Sequence, residues 1–430
     1  MERVPLTQKV DVQNNILSAW EAIDSGVVAA TSSTRTRYWN KWVPFAGLFN
    51  IDPFLQNVDP IERDIVVTAF AARVRSGALG RGKQVSAGEV RSALAAISKT
   101  IELAGQQSPL YRGNQKYTLP IERCIEGMKR QDPPATLQLA LPVTVTAALH
   151  ETAYPTSSPK HQAVDDLASV AFYYLLRVGE YTQPRMTKKN GKWVRATRTV
   201  QFHVGDIGFF KNGKVLSRWS PLKKLLQADG ATLKITNQKN GRMGETVYHE
   251  TVPDLAHGPI QSLARRVHNI LHNGGSEDNL LCDYITEEGV WKSITSTDMR
   301  KDLRATVVAL GLSKRGIDPD LVGVHSLRAG GAMAMKLHGL DDTTIMKMGR
   351  WTSLTFLMYI HSQIAHLGKN ISSKMSTPLP FTNIAKIESA KASSSTPDSP
   401  QPHDRISSRP TQLISIAAGP GIETPRRQQR

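Results

Sequence analysis

The chain is poor in cysteine, in long apolar runs and in acidic residues, and each shortage narrows what it can be. Its 430 residues hold two cysteines, Cys124 and Cys282, too far apart to form a C-x-x-C pair. That argues against a disulfide framework or a thiolate zinc module and fits a reducing compartment. The longest apolar run, Val170–Leu176, falls far short of the roughly 20 residues that span a bilayer. The opening Met-Glu-Arg-Val-Pro leads into no apolar stretch, so no secretory leader is expected. The expectation is a soluble, intracellular protein, nuclear if its source is eukaryotic. Acidic residues number 37 against 54 Lys and Arg, a formal net charge of +17. Such an excess points to a polyanionic partner, nucleic acid before others. No carboxylate cluster stands out that would hold two magnesium ions. His268 and His272, four apart, lack an acidic companion and read as helix surface, so neither a metal nor a cofactor is expected.

The pattern along the chain divides it into parts. Residues 1–30 read as a polar N-terminal extension. Ser32-Ser33-Thr34 offers a helix N-cap, and Tyr38, Trp42 and Phe45 then recur at the spacing of one helical face. Further helical periodicity over Ile61–Val74 and Ala87–Leu103, the latter capped by Ser86, makes residues 31–130 a small all-α domain. Gln131-Asp132-Pro133-Pro134 breaks the pattern, and residues 131–141 read as a linker. A larger domain follows over 142–370. Val164–Leu176 reads as a buried helix. Val200–Val204 alternates as a strand would, Lys211-Asn212-Gly213-Lys214 reads as a turn, and Ala231–Ile235 and Thr246–His249 read as strands joined through Asn240-Gly241, a hairpin signal. Helices resume at Pro259–His272, Asp298–Ala309, Ala329–Leu337, Thr343–Met348 and Ser353–His361. Residues 371–430 hold 8 of the 24 prolines and many serines, and read as a disordered tail. Eight basic against four acidic residues put +4 there, so most of the +17 belongs to residues 1–370. The fold expected is therefore an all-α domain followed by a mainly α domain with a small antiparallel β-sheet.

Three local patterns carry chemistry. Arg177 ends the apolar run, and Glu180 stands one helical turn on; an arginine so placed either pairs with a carboxylate or serves an anion. His325 and Arg328, three apart, can project from one side of a first helical turn, whose free N–H groups also suit a phosphate. Gly349-Arg350-Trp351 is followed by Tyr359, and the eight residues from Trp351 to Tyr359 are about two turns, so both can face one pocket. Each pattern alone equally fits an ion pair, a solvated helix start or a packed core.

Taken in order, these patterns resemble the tyrosine recombinase (phage-integrase) superfamily. Leu175-Leu176-Arg177-Val178-Gly179-Glu180 resembles its first arginine box and His325-Ser326-Leu327-Arg328-Ala329-Gly330-Gly331-Ala332 its second. Gly-Arg-Trp with Tyr359 beyond it is most like the eukaryotic Crypton and tyrosine-recombinase retroelement enzymes. The resemblance spans about residues 30–365. It implies a DNA-cutting and rejoining enzyme that needs neither metal nor ATP, working on double-stranded DNA through a 3′-phosphotyrosyl link made by Tyr359. Arg177, Arg328, His325 and Trp351 would engage the phosphate, with Glu180 orienting Arg177. The lysine that the family carries on a β-hairpin would be Lys239, beside Asn240-Gly241, with Lys234 as its competitor. The family acts in a four-protomer synapse, so a homotetramer on DNA is implied, with a monomer possible off it. The helical domain would close round the duplex, with Arg35, Arg37, Lys41 and Lys99 as candidate phosphate contacts.

Three departures and rivals stay open. The interval from Arg177 to Lys239 is long, and the basic segment Thr187–Arg198 reads as an insertion or extended loop. A type IB topoisomerase shares the tyrosine chemistry, although its larger clamp and coiled-coil linker are not evident. A domesticated, catalytically inactive DNA-binding descendant of a recombinase is the other alternative.

Overall fold

A computed structural model of the chain describes residue 5, residues 8–359 apart from 113–115, 135–137, 155–157, 190, 198 and 237–243, and residue 376. The tail over 371–430, residue 376 aside, lies outside the described residues, as does Lys239. Residues up to Lys369 form one compact unit.

The first part of the chain is helical: α1 (Lys9–Ser25), α2 (Ala29–Gly47), α3 (Pro60–Arg75), α4 (Ala87–Leu103) and, after the two-residue strands β1 (Tyr111–Arg112) and β2 (Lys116–Tyr117), α5 (Leu119–Gln131). Its core gathers Tyr38, Trp42 and Phe45 of α2 against Val67 and Phe70 of α3 and Val90, Leu94 and Ile97 of α4. Asp59 caps α3 through Ile61 N (2.8 Å). Ser86 caps α4, accepting from Glu89 N at 3.3 Å, and Ala87–Leu103 holds to the residue. One expectation fails. Ser32–Thr34 lies inside α2, which starts at Ala29 after Val28: Thr34 Oγ1 instead donates back to Ala30 O at 2.9 Å, a bond that lets a hydroxyl residue sit within a helix. The polar N-terminal stretch also holds a helix, α1. Between α4 and α5 a minimal hairpin, β1 with β2, pairs antiparallel and stacks Tyr111 on Tyr117 with ring centroids 5.1 Å apart.

The second core, from Leu141 to Leu327, surrounds α7. Its elements are α6 (Thr144–Ala153), α7 (Pro159–Tyr173), α8 (Val178–Tyr181), β3 (Met186–Lys189), β4 (Lys192–Arg195), β5 (Ile207–Lys211), β6 (Lys214–Leu216), α9 (Leu222–Leu225), β7 (Gly230–Lys234), β8 (Thr246–Glu250), α10 (Pro259–His272), β9 (Asp283–Ile285), β10 (Trp291–Ser293), α11 (Ser296–Ala309), α12 (His325–Leu337) and α13 (Asp342–Gly349). A final 3-10 helix runs Leu354–Tyr359 where an α-helix to His361 was expected. The four-stranded sheet is antiparallel, in the order β6-β5-β7-β8. The Asn212-Gly213 turn closes β5 on β6 with both residues at positive φ (50° and 72°), as a type I′ turn requires. Residues 200–204 form no strand; His203 makes a single bridge to Leu280, and Val204 enters a 3-10 turn.

α12 reaches the centre of this core because it carries Gly330 and Gly331. A Cβ on Gly330 would lie 2.0 Å from Leu141 O, and one on Gly331 would lie 2.2 Å from Phe172 O. Both obstacles are main chain and cannot swing aside. The two glycines therefore set how closely α12 sits on α7, and so where Arg328 lies.

Candidate active site

The chain turns sharply after α7. Leu175 adopts a left-handed conformation, φ 49°, unusual for a branched residue with no local compensation. The turn aims the Leu175 carbonyl at two guanidinium groups: it accepts from Arg328 Nη1 and from Arg350 Nη2 at 2.9 Å. Two residues later Arg177 serves as N-cap of α8, and Glu180, at the third helical position, turns back to accept from Arg177 N at 2.8 Å.

The Glu180 carboxylate then divides between two arginines. Oε1 accepts from Arg177 Nη1 at 3.2 Å, and Oε2 accepts from Arg350 Nη2 at 3.0 Å. The three arginines also touch one another's segments. Arg177 Nη2 donates to Arg350 O at 3.5 Å, and Arg328 Nη2 donates to Gly349 O. Glu180, Arg328 and Arg350 are almost wholly buried, whereas the Arg177 side chain keeps 18% of its surface open. These four side chains sum to a formal +2. Burial, with Arg177 near, pulls the Arg350 guanidinium below its ordinary basicity, and Glu180 opposes that pull. Arg350 Nε and Nη1 are buried with no hydrogen-bond partner among the described residues. So much positive charge out of water is costly unless an anion completes it, and guanidinium forks fit phosphate oxygens.

Arg350 itself was not among the residues singled out from sequence. It sits at the C-cap of α13 with φ 57°, where glycine is the usual occupant. Leu175 and Arg350 are thus two strained, non-glycine positions at one site, and such outliers gather at functional centres. The Gly-Arg pair was the readable signal: glycine stands one place before the left-handed cap instead of in it.

Trp351 lies against Arg328, whose guanidinium carbon is 4.3 Å from the indole centroid. The same ring covers Gly349, where a Cβ would fall 1.7 Å from Trp351 Cζ3, and packs on the buried Phe356 at 5.6 Å. His325 opens α12 and is exposed, while Arg328 one turn on is buried; the helix presents the two to different surroundings. Tyr359 ends the 3-10 helix, and its side chain lies outside the described residues. The β7–β8 hairpin has its base at Ile235 and Glu245, with Ile235 N donating to Glu245 O at 2.7 Å, and Lys239, between these strands in the sequence, lies outside the described residues. Glu245 is near enough to act on Arg350 electrostatically, which roots this hairpin beside the arginines. Lys234, the competitor, is exposed at the end of β7.

On α2, Arg35 is half-buried. Arg37 pairs with Glu89 at 3.1 Å and lies 4.6 Å from the Tyr38 ring centroid, and Lys41 also caps that ring at 5.6 Å. Lys99 on α4 pairs with Glu102. Among the described residues no group of His, Cys, Asp and Glu is placed to hold a metal ion, and no helix is long and apolar enough to cross a membrane.

No family model and no curated protein matches the chain. Solved structures do. XerA recombinase aligns at 13% identity over 81% of this chain and 100% of its own, with a TM-score of 0.34. XerH site-specific recombinase bound to palindromic difH substrate aligns at 16% identity over 74% of each chain, TM-score 0.41. The Tn1549 transposon integrase in complex with transposon right end DNA aligns at 10% identity over 73% of this chain and 85% of its own, TM-score 0.38.

Proposed function

We propose that this protein cuts and rejoins double-stranded DNA as a tyrosine recombinase, with the Arg177–Arg328–Arg350 cluster holding the scissile phosphate. The observation that carries the reading is the convergence of three arginines, from the turn after α7, from α12 and from the cap of α13, on one carboxylate and one strained carbonyl. An ion pair built for stability alone would balance its charges.

In the proposed reaction the Tyr359 hydroxyl attacks phosphorus. Its proton leaves, an O–P bond forms to the tyrosine, and the bond to the 5′-oxygen breaks. The product is a 3′-phosphotyrosyl link and a free 5′-hydroxyl. A phenol ionises near pH 10, so the step depends on stabilising charge as it builds on the non-bridging oxygens, which is what fixed guanidinium donors do. Arg177, the most open of the three, is the natural first contact. Trp351 braces Arg328 and presents its indole edge to the phosphate, His325 assists at the phosphate or at Tyr359, and Lys239 protonates the leaving oxygen. The arginines neutralise the phosphate, so neither metal nor ATP is invoked. Attack of a 5′-hydroxyl from another strand on the phosphotyrosine completes exchange, in a synapse of four protomers. The helices of residues 31–130 would grip the duplex through Arg35, Arg37, Lys41 and Lys99. The biological role we propose for this chemistry is mobilisation of a genetic element of the Crypton or retroelement kind, a reading supported by the Gly349-Arg350-Trp351 motif with Tyr359 beyond it.

A nicked suicide duplex tests the reading. The expected result is a covalent protein–DNA adduct that is lost in Tyr359→Phe. An adduct that survives in Tyr359→Phe removes Tyr359 as nucleophile, and plasmid relaxation by a lone protomer would mark a topoisomerase instead.

A further inference from the structure

The basic segment that interrupts the chain after Glu180 has a structure of its own. It is a two-stranded ribbon in which β3 pairs antiparallel with β4, with Met186 opposite Arg195, Thr187 opposite Val194, Lys188 opposite Trp193 and Lys189 opposite Lys192. Residues 185–198 hold six Lys and Arg and no Asp or Glu. Alternation along the strands sorts the side chains onto two faces. Thr187 and Val194 are half-buried on the face turned to α2, where Ala30 N donates to Ala196 O at 3.1 Å. The other face carries Met186, Lys188, Trp193 and Arg195, all exposed. Trp193 keeps 65% of its surface in solvent, with Lys188 Nζ lying 5.4 Å from its ring centroid. Gln201 Oε1 accepts from Arg195 Nη1 at 2.8 Å, which holds that guanidinium in place.

We propose that the open face of this ribbon binds duplex DNA beside the cut phosphate. The inference rests on the recombinase reading and adds to it a second contact, outside the arginine cluster. Three features of the ribbon point to that partner. Its charge is of one sign, as a polyphosphate partner requires. Two strands side by side have the width that the DNA major groove, about 12 Å across, admits. And the ribbon is tethered close to the arginines: the six residues from Glu180 to Met186 span at most about 20 Å, or roughly six base pairs at about 3.4 Å each. Lys188 and Arg195 of the open face meet backbone phosphates, joined by Lys192, which falls on the other face but is exposed at the turn end of the ribbon, and Trp193 reaches the groove between them.

The test uses the full chain and a duplex of random sequence, about 30 base pairs long, because phosphate contacts do not depend on sequence. Affinity is measured by fluorescence anisotropy across a salt series for wild type, for Lys188→Gln/Lys192→Gln/Arg195→Gln and for Trp193→Ala. All four side chains are exposed, and circular dichroism checks that each variant folds. Losing three phosphate contacts should weaken binding on the order of a hundredfold near 0.1 M salt and flatten the log–log salt slope by nearly 3, at about 0.9 per contact. Trp193→Ala should weaken binding several-fold with the slope unchanged. A triple variant with wild-type affinity and slope would overturn the ribbon's role. So would a ribbon-dependent preference for single-stranded competitor over duplex. The assay does not involve Tyr359, so failure to form an adduct leaves it standing, whereas a wild type that ignores duplex DNA sinks both proposals.

Discussion

Replacing Glu180 with glutamine keeps the shape of the side chain and removes its charge, and this probes whether the arginines form an anion site. The carboxylate is 2% exposed and accepts from Arg177 N, Arg177 Nη1 and Arg350 Nη2. Removing one partner of a buried ion pair costs about 3–5 kcal/mol, because the charge left behind has no compensation. At about 2–4 °C per kcal/mol, the variant should melt roughly 6–20 °C below wild type. The same logic makes the loss recoverable. An anion that enters beside Arg177 takes over the missing charge, and phosphate at about a hundred times its dissociation constant would return about 2.7 kcal/mol. Scanning fluorimetry in phosphate and in chloride at equal ionic strength reads both effects. Phosphate should raise both proteins and raise Glu180→Gln more. If the variant stays within about 0.5 kcal/mol of wild type, an ordinary surface effect, and phosphate moves neither protein, then the cluster is not an anion site.

Other outcomes follow from the same geometry. Arg350→Met leaves Glu180 paired with Arg177 and removes two buried donor nitrogens that have no partner among the described residues, so it should shift melting by less than about 4 °C, yet lower adduct yield on a suicide duplex by about a hundredfold or more, the scale of one lost donor to developing charge; undiminished yield would leave Arg350 a purely structural residue. Gly331→Ala drives a Cβ onto Phe172 O and should cost about 3 kcal/mol in urea unfolding, whereas Gly127→Ala in α5, with nothing within 4 Å, should be neutral or stabilising by up to about 1 kcal/mol. His249 sits edge-on to Tyr174 with centroids 4.5 Å apart, and burial pushes it down to about 4. An unfolded histidine ionises near about 6.5, so between those values the unfolded chain binds more protons and acid weakens the fold. Asp166, pushed up to about 6 by burial, works in the opposite sense over about pH 4–6. His249→Gln removes only the first effect, so relative to wild type it should gain on the order of 3 kcal/mol between pH 7 and 4, and a difference that does not change with pH refutes the assignment.

What could be read from the residues was what depends on periodicity and caps. Ala87–Leu103 with Ser86, and Pro259–His272 after Gly258, follow directly from apolar spacing and a stop signal. The β7–β8 pair follows from two alternating runs about a turn signal. What could not be read depends on partners remote in sequence. Residues 200–204 alternate like a strand, but among the described residues they make a single bridge, His203 to Leu280. Thr187–Arg198 carries enough lysine to resemble a loop, yet Val194 and Thr187 fold it against α2. At the site, Arg177 stood out as an arginine ending an apolar run, Glu180 as its partner one turn on, and Arg328 as the arginine one turn after His325. Arg350 did not, because its neighbour Trp351 is more conspicuous and a left-handed cap leaves no trace in composition.

The carbonyl of Leu175 has a kinetic consequence. Its two donors lie 153 and 175 positions downstream, so the connection closes one of the longest loops in the chain. Bringing such distant ends together costs about 4–5 kcal/mol in chain entropy, and contacts of this span form late. A chain folded only as far as α12 would present Arg177 and Arg328 but neither the Arg350 side chain nor the Gly349 carbonyl that anchors Arg328. The pocket therefore closes at the end of folding. An intermediate trapped before α13 docks should show helix content close to native and no response to phosphate, which makes phosphate binding during refolding a clock for the last step of assembly.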